Sequence, residues 1–236
     1  MSYMSDAQTF AAPAPSAQND PQSMGMVFQI AGSSSKVLID AQRLAILGQD
    51  TDPSVAMAGQ VGSQVKMRVG GSWLIASVRA MALDQASHGI VADIDFLGEG
   101  DEEPATGRIH RFRRGVTRYP TPGTDILPVS SADMQQIYAA EDRAHVQIGT
   151  VYPTSDTRAA LYVDSMLGKH FALLGSTGTG KSTSAALILH RICDLSPQGH
   201  IVMIDPHGEY GAAFAQNGAV YDVSNLALPY WLMNFE

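Results

Sequence analysis

The string GSTGTGKS, Gly175–Ser182, lies between two apolar segments: KHFALL, Lys169–Leu174, and a run with helical periodicity from Lys181 to about Asp194. It satisfies GxxxxGK[ST], and the strand before it and helix after it are the context that gives this pattern its meaning. A phosphate chain brings several negative charges into a partly dry site, and such a turn answers with consecutive backbone N–H groups pointing inward. Glycine at Gly178 and Gly180 permits close backbone approach and positive φ. The spacing therefore predicts a phosphate cradle made of Gly175, Ser176, Thr177, Gly178, Thr179, Gly180, Lys181, Ser182 and Thr183. Lys181 is expected to reach the β- and γ-phosphates of ATP and the Ser182 hydroxyl to coordinate Mg²⁺, with Thr183 near the α-phosphate. The glycine order is not GxGxxG, which disfavours a nicotinamide or flavin dinucleotide.

The segments around the string read as strand, turn, helix, strand, the beginning of a parallel α/β sheet. The strands are expected at Lys169–Leu174, His200–Asp205 and Ala219–Val223. In the helix between them Ala185, Ile188, Leu189 and Ile192 form the core stripe, and Ala186, Leu187 and Cys193 make it apolar nearly all round. Cys193 reads as a small packed hydrophobe. The second strand ends in Asp205-Pro-His-Gly-Glu209-Tyr210. Asp205 has two readings, a cap on the Pro-His-Gly turn or a group facing the nucleotide or a neighbouring subunit. Glu209 is the nearby carboxylate that could serve as a catalytic base beside Lys181.

The region before residue 131 has a different texture. MVFQI, KVLIDAQRL, QVKMRV, SWLIASVRAMAL and GIVADIDFLG are short apolar runs, several with period two, separated by Gly, Pro and other turn residues. They predict a small all-β barrel over 26–130. Residues 1–25, rich in Ala, Pro, Ser and Gln, are expected to be a disordered leader. Residues 131–160 read as a connector with a short capped helix, Ser131–Asp142, and residues 161–236 as the N-terminal part of the nucleotide-binding domain.

Composition excludes several classes. The 236 residues carry 15 basic and 23 acidic side chains, a net charge of −8, which argues against a surface-wide footprint for nucleic acid. Five arginines nevertheless fall between Arg108 and Arg118 (Arg108, Arg111, Arg113, Arg114, Arg118), just after Asp101, Glu102 and Glu103. They read as a solvated strand face or as contacts to a neighbouring subunit or to DNA phosphate. Cys193 is the only cysteine, so neither an intrachain disulfide nor a cysteine metal cage can form. No apolar run is long enough to span a membrane, and the first 25 residues contain no Lys or Arg for a secretory signal. The expected location is cytoplasmic.

Taken together, HFALLGSTGTGKST, IVMIDPHGEY and the final LPYWLMNFE resemble the HerA family of P-loop ATPases, within the FtsK–HerA superfamily. GQVGSQVKMRV, DIDFLGEG, FRRGVTRYPTPG and VQIGTVY resemble the family's N-terminal HAS barrel. The resemblance covers Met26–Glu236. It implies an α/β P-loop NTPase domain with a RecA-like (ASCE) parallel sheet, incomplete here, preceded by the barrel. It also implies an ATP- and Mg²⁺-dependent hexameric ring that moves along double-stranded DNA and works with a NurA-type nuclease, with no membrane partner. By position, Gly175–Thr183 match the family's cradle, and Asp205 and Glu209 match its second motif. The family continues to a Walker B Asp-Glu pair and an arginine finger, which these 236 residues do not contain. A fragment of a longer ATPase is therefore expected, one that binds nucleotide but by itself turns it over poorly. A conjugative, type IV secretion ATPase and a nucleotide-binding assembly module are the alternatives.

Overall fold

The computed structural model describes residues 22–31, 34–84, 89–222 and 224–226. Most of the expected leader and the closing LPYWLMNFE lie outside these residues. The chain divides into two compact units. The first runs to Ala139 and includes Thr150–Ala159, and the second comprises Ala140–Gly149 and Ala160 onward.

The first unit contains β1 (Gly25–Ala31), β2 (Ser34–Ile39), α1 (Ala41–Leu47), α2 (Pro53–Ala56), β3 (Gln64–Val69), β4 (Ser72–Leu83), β5 (Ile90–Glu102), β6 (Ile109–Arg114), β7 (Asp125–Pro128) and α3 (Ser131–Ile137). The sheet order is β2-β1-β7-β3-β4-β5-β6, and β2 also pairs with β5. That extra antiparallel ladder, from Ser34 opposite Asp95 to Ile39 opposite Ile90, closes six strands into a barrel and leaves β6 outside the ring on β5. The expected barrel is present.

Its interior follows the two-residue period of a strand. Val65 and Met67 of β3, Leu74, Ala76 and Val78 of β4, and Ala92 and Ile94 of β5 are buried in one cluster with Val27, Val37, Ile39 and Ile126. The alternate residues Trp73 and Ile75 are buried too, because Ile109 of β6 and Met134 and Ile137 of α3 cover the outside of the barrel there. This two-sided cover explains why WLIA, Trp73–Ala76, is continuously apolar instead of alternating. Ser130 caps α3 in a reciprocal capping box with Asp133. The Asp133 carboxylate also accepts from Lys66 Nζ at 2.7 Å. The helix expected over Ser131–Asp142 stops at Ile137. The run KVLIDAQRL is strand only to Ile39, since the Asp40 carboxylate accepts the N–H groups of Gln42 and Arg43 and starts α1.

The strand β6 lies so close on β5 that a Cβ at Gly98 would sit 2.2 Å from the Arg113 carbonyl oxygen. Between the two strands Glu99 is buried, its side chain only 3% exposed. It accepts from Thr117 N at 3.0 Å, from Thr117 Oγ1 at 3.0 Å, and from Arg113 Nε and Nη2 at 3.1 and 2.9 Å. The Thr117 N–H, with Arg113 and the Thr117 hydroxyl, holds the Glu99 carboxyl below the ordinary glutamate range although burial pushes it up. A lowered folded-state pKa contributes stability above the unfolded pKa, and this is lost as pH falls through the folded value. Glu99→Gln is therefore expected to destabilise the protein at pH 7 by about 1.5–3 kcal/mol, the usual size for hydrogen bonds to a charged group. Thermal melts should show the gap between wild type and variant closing as the pH falls below the ordinary glutamate range. A gap independent of pH would rule out ionised Glu99 as its source.

The arginine cluster divides. Arg113 is bound to Glu99, and Asp101 lies 3.6 Å from it. Arg118 donates to the Gly70 carbonyl at 3.4 Å. Arg108, Arg111 and Arg114 are exposed and make no ion pair among the described residues.

β8 (His145–Thr150) pairs with β9 (Arg158–Tyr162), the greater part of each strand belonging to the second unit, which continues with α4 (Val163–Leu167), α5 (Lys181–Leu195) and α6 (Gly211–Phe214). The helix α5 matches the expected Lys181–Asp194 run. Its Ile188 and Ile192 are buried with Val146 of β8 and Val163 of α4, and Leu189 packs at the edge of the cluster. The opposite side is less covered than an all-round apolar helix implies, with Leu187 at 39% exposure. The three expected parallel strands are a correction. Lys169–Leu174, His200–Asp205 and residues 219–222 form no ladder among the described residues, and Val223 lies outside them. Leu174, Val202 and Ile204 are 89, 91 and 88% exposed. An apolar run states a demand for burial, whereas a ladder also requires a second backbone alongside it in register. No described helix is long and apolar enough to cross a membrane.

Candidate functional site

The helix α5 begins where the glycine-rich string ends. Gly178 and Gly180 have φ of +85° and +87°, the left-handed region that L side chains disfavour. Gly180 is the N-cap of α5 and its carbonyl accepts the first helical bond, from Ser184 N at 2.8 Å. The N–H groups of the first turn have no intrahelical acceptor and face the loop, as at any helix start. A Cβ at Gly178 or Gly180 would meet nothing within 4 Å, so the space beside both glycines is open to an incoming group. Residues Gly175–Gly180 are exposed.

The Lys181 ammonium lies back over the loop and donates to the Ser176 carbonyl at 2.8 Å. Thr179 Oγ1 shares that acceptor, also at 2.8 Å. The positive charge is thus held at the loop mouth by contacts that a phosphate oxygen can replace. The free N–H groups of the first helical turn, the open space beside Gly178 and Gly180 and an ammonium group fit an anionic phosphate chain. Ser182, half-buried on the first turn of α5, points its hydroxyl hydrogen at the Glu209 carboxylate. Its oxygen lone pairs remain available to a cation.

The segment after Ile204 is a compact turn organised by Asp205. The two carboxylate oxygens of Asp205 accept Glu209 N at 3.1 Å and Tyr210 N at 2.9 Å. Gly208, with φ of +69°, donates its N–H to the Asp205 carbonyl at 3.3 Å. The Tyr210 N–H, with those of Glu209, Gly208 and His207, keeps the Asp205 carboxyl below the ordinary aspartate range, against a smaller opposing effect of burial. Of the two readings of Asp205, the structure displays the turn-capping contacts.

The structure thus brings together Lys181, Ser182, Glu209 and, through the turn, Asp205. Thr183 is exposed on α5 and makes no side-chain hydrogen bond among the described residues. Sequence reading finds Ser182 and Glu209 separately but not their contact. They are 27 residues apart, and no local pattern encodes the pairing. No group of three or more His, Cys, Asp or Glu able to hold a metal occurs among the described residues.

Residues 146–236 match the family model described as "Helicase HerA, central domain". The chain is 32% identical over 147 residues to the "DNA double-strand break repair helicase HerA" of Pyrococcus furiosus, covering 59% of this chain and 25% of that protein. It is 30% identical over 123 residues to the "Probable DNA double-strand break repair helicase HerA" of Methanocaldococcus jannaschii, covering 51% and 23%. To the protein of the first name from Sulfolobus acidocaldarius it is 31% identical over 91 residues, covering 39% and 17%. The chain spans about a quarter or less of the length of these relatives. The resemblance to HerA-type ATPases is borne out, and the matched segment is the one that holds the glycine-rich loop, Asp205 and Glu209.

Proposed function

Taking that resemblance as the premise, we propose that the chain is the ATP-binding part of a motor ATPase that couples hydrolysis to translocation along, or unwinding of, double-stranded DNA during DNA end processing. The observation that carries the reading is the loop itself. Its left-handed glycines leave open space at the start of α5, Lys181 stands at its mouth, and it lies inside the segment matched to the HerA central domain.

In this reading Gly175, Ser176, Thr177, Gly178, Thr179 and Gly180 cradle the phosphates with backbone N–H groups, and Thr183 flanks the α-phosphate. Lys181 exchanges the Ser176 carbonyl for phosphate oxygens and offsets charge that develops as the γ-phosphoryl group leaves. Ser182 is the residue that would hold Mg²⁺, and the ion would supply neutralisation of phosphate charge when bound. Asp205 stays in the turn and reaches the site through Glu209. The relatives' names support a DNA substrate. A homo-oligomeric, hexameric ring, a NurA-type nuclease partner and a cytoplasmic location belong to the same proposal.

The test is steady-state phosphate release by the full-length protein, with and without duplex DNA. Turnover that rises with duplex DNA and disappears in Lys181→Ala is expected. Turnover indifferent to DNA would remove the motor reading and leave a nucleotide hydrolase.

A further inference from the structure

The contact between Ser182 and Glu209 suggests a different task for Glu209 than that of a base. A hydroxyl that ligates a cation uses an oxygen lone pair, and its hydrogen must then point away from the ion toward an acceptor. Glu209 is that acceptor here, since its Oε2 takes the Ser182 hydroxyl hydrogen. The carboxylate is in turn carried by a turn whose backbone is fastened to Asp205, through Glu209 N at 3.1 Å and Tyr210 N at 2.9 Å. The φ of +69° at Gly208 lets the chain reverse tightly enough for these bonds to form between near neighbours. The order of support is therefore Asp205 to the backbone of Glu209, and Glu209 to the Ser182 hydroxyl.

We propose that Glu209 is a positioning residue for the nucleotide's divalent cation, which fixes the Ser182 hydroxyl rotor and raises the oxygen's basicity, and that Asp205 positions Glu209. The proposal rests on the nucleotide reading of the loop. It follows the general behaviour of metal sites, where the partner of a ligating group sets its orientation and donor strength. A carboxylate already engaged in this way is poorly free to take a proton from water. In this assignment the cation, and not the attacking water, is what Glu209 serves.

The experiment is a titration of a fluorescent ADP analogue into the full-length protein, in excess EDTA and across a range of free Mg²⁺. With Glu209→Gln, the Mg²⁺ concentration giving half of the affinity gain should rise roughly 10- to 100-fold, the usual cost of losing such a partner. Affinity in EDTA should stay within about twofold of wild type, since the N–H cradle and Lys181 are untouched. Asp205→Asn, which keeps one acceptor oxygen for two N–H donors, should shift the Mg²⁺ dependence in the same direction by less. Glu209→Asp should recover part of the loss. Mn²⁺ bound to the nucleotide complex, followed by its electron paramagnetic resonance, gives a second readout independent of turnover. Equal loss of affinity with and without Mg²⁺ would make Glu209 merely structural and overturn the proposal, and so would an unchanged Mg²⁺ dependence in both variants. Failure of the underlying reading looks different: Lys181→Ala would then bind the analogue as wild type does, in EDTA and in Mg²⁺ alike.

Discussion

Lys181→Ala is expected to weaken Mg·ADP binding by roughly a hundredfold. Among the described residues the ammonium makes one hydrogen bond, to the Ser176 carbonyl at 2.8 Å, and the side chain lies in no core cluster, so its removal should leave the fold intact. What is lost is a charged hydrogen bond to phosphate, worth up to about 3 kcal/mol. At about 1.4 kcal/mol per factor of ten that corresponds to two decades in Kd. Titration calorimetry on folded wild type and variant decides the matter, and equal affinities would remove the phosphate-cradle assignment altogether. Gly180→Ala offers an independent check from the backbone side. A methyl group at φ of +87° is strained whatever the space around it.

The second large effect concerns the barrel. Ile94 has no exposed surface and sits on β5 opposite Ser35 of β2 and Val78 of β4, at the ladder that closes the ring. Ile94→Ala should cost about 2–5 kcal/mol, because the missing methyl groups leave a cavity that a closed barrel cannot easily collapse. Against a usual total of about 5–15 kcal/mol, this is a substantial part of the stability. At roughly 4–8 °C per kcal/mol for a domain of this size, the barrel transition should move down by about 10 °C or more. Leu83→Ala, at a side chain 68% exposed on the same sheet, should stay within about 0.5 kcal/mol of wild type. Melting curves that cannot tell the two variants apart would contradict the closed interior.

How much was legible beforehand varies from residue to residue. Val65 and Met67, or Ala92 and Ile94, declare a strand by alternation, because successive side chains on a strand face opposite sides. Trp73 and Ile75 break that alternation, and the reason appears only once α3 and β6 are seen covering the outer face of β4. In KVLIDAQRL the cap at Asp40 is a local signal, yet the apolar residues on both sides hide it in a longer run. Leu174, Val202 and Ile204 are apolar enough for buried strands, but apolarity does not supply a neighbouring backbone. Arg113 and Arg111 look equivalent in the sequence. Only Arg113 meets a buried carboxylate.

What the sequence by itself determined is what depends on a few consecutive residues. The glycine-rich loop and the start of α5 belong here, since positive φ at Gly178 and Gly180 and the orphan N–H groups of a first helical turn are set within one turn of chain. So do the alternating strands and the Ser130–Asp133 cap of α3. The tertiary structure alone decided the pairings between distant residues. Ser34 opposite Asp95 closes the barrel, Glu99 is enclosed by Arg113 and Thr117, and Ser182 meets Glu209. Local conformation is fixed by sterics and hydrogen bonds that nearby residues carry with them. A contact between distant residues exists only after the whole path of the chain has brought two surfaces together, and no short pattern encodes that path.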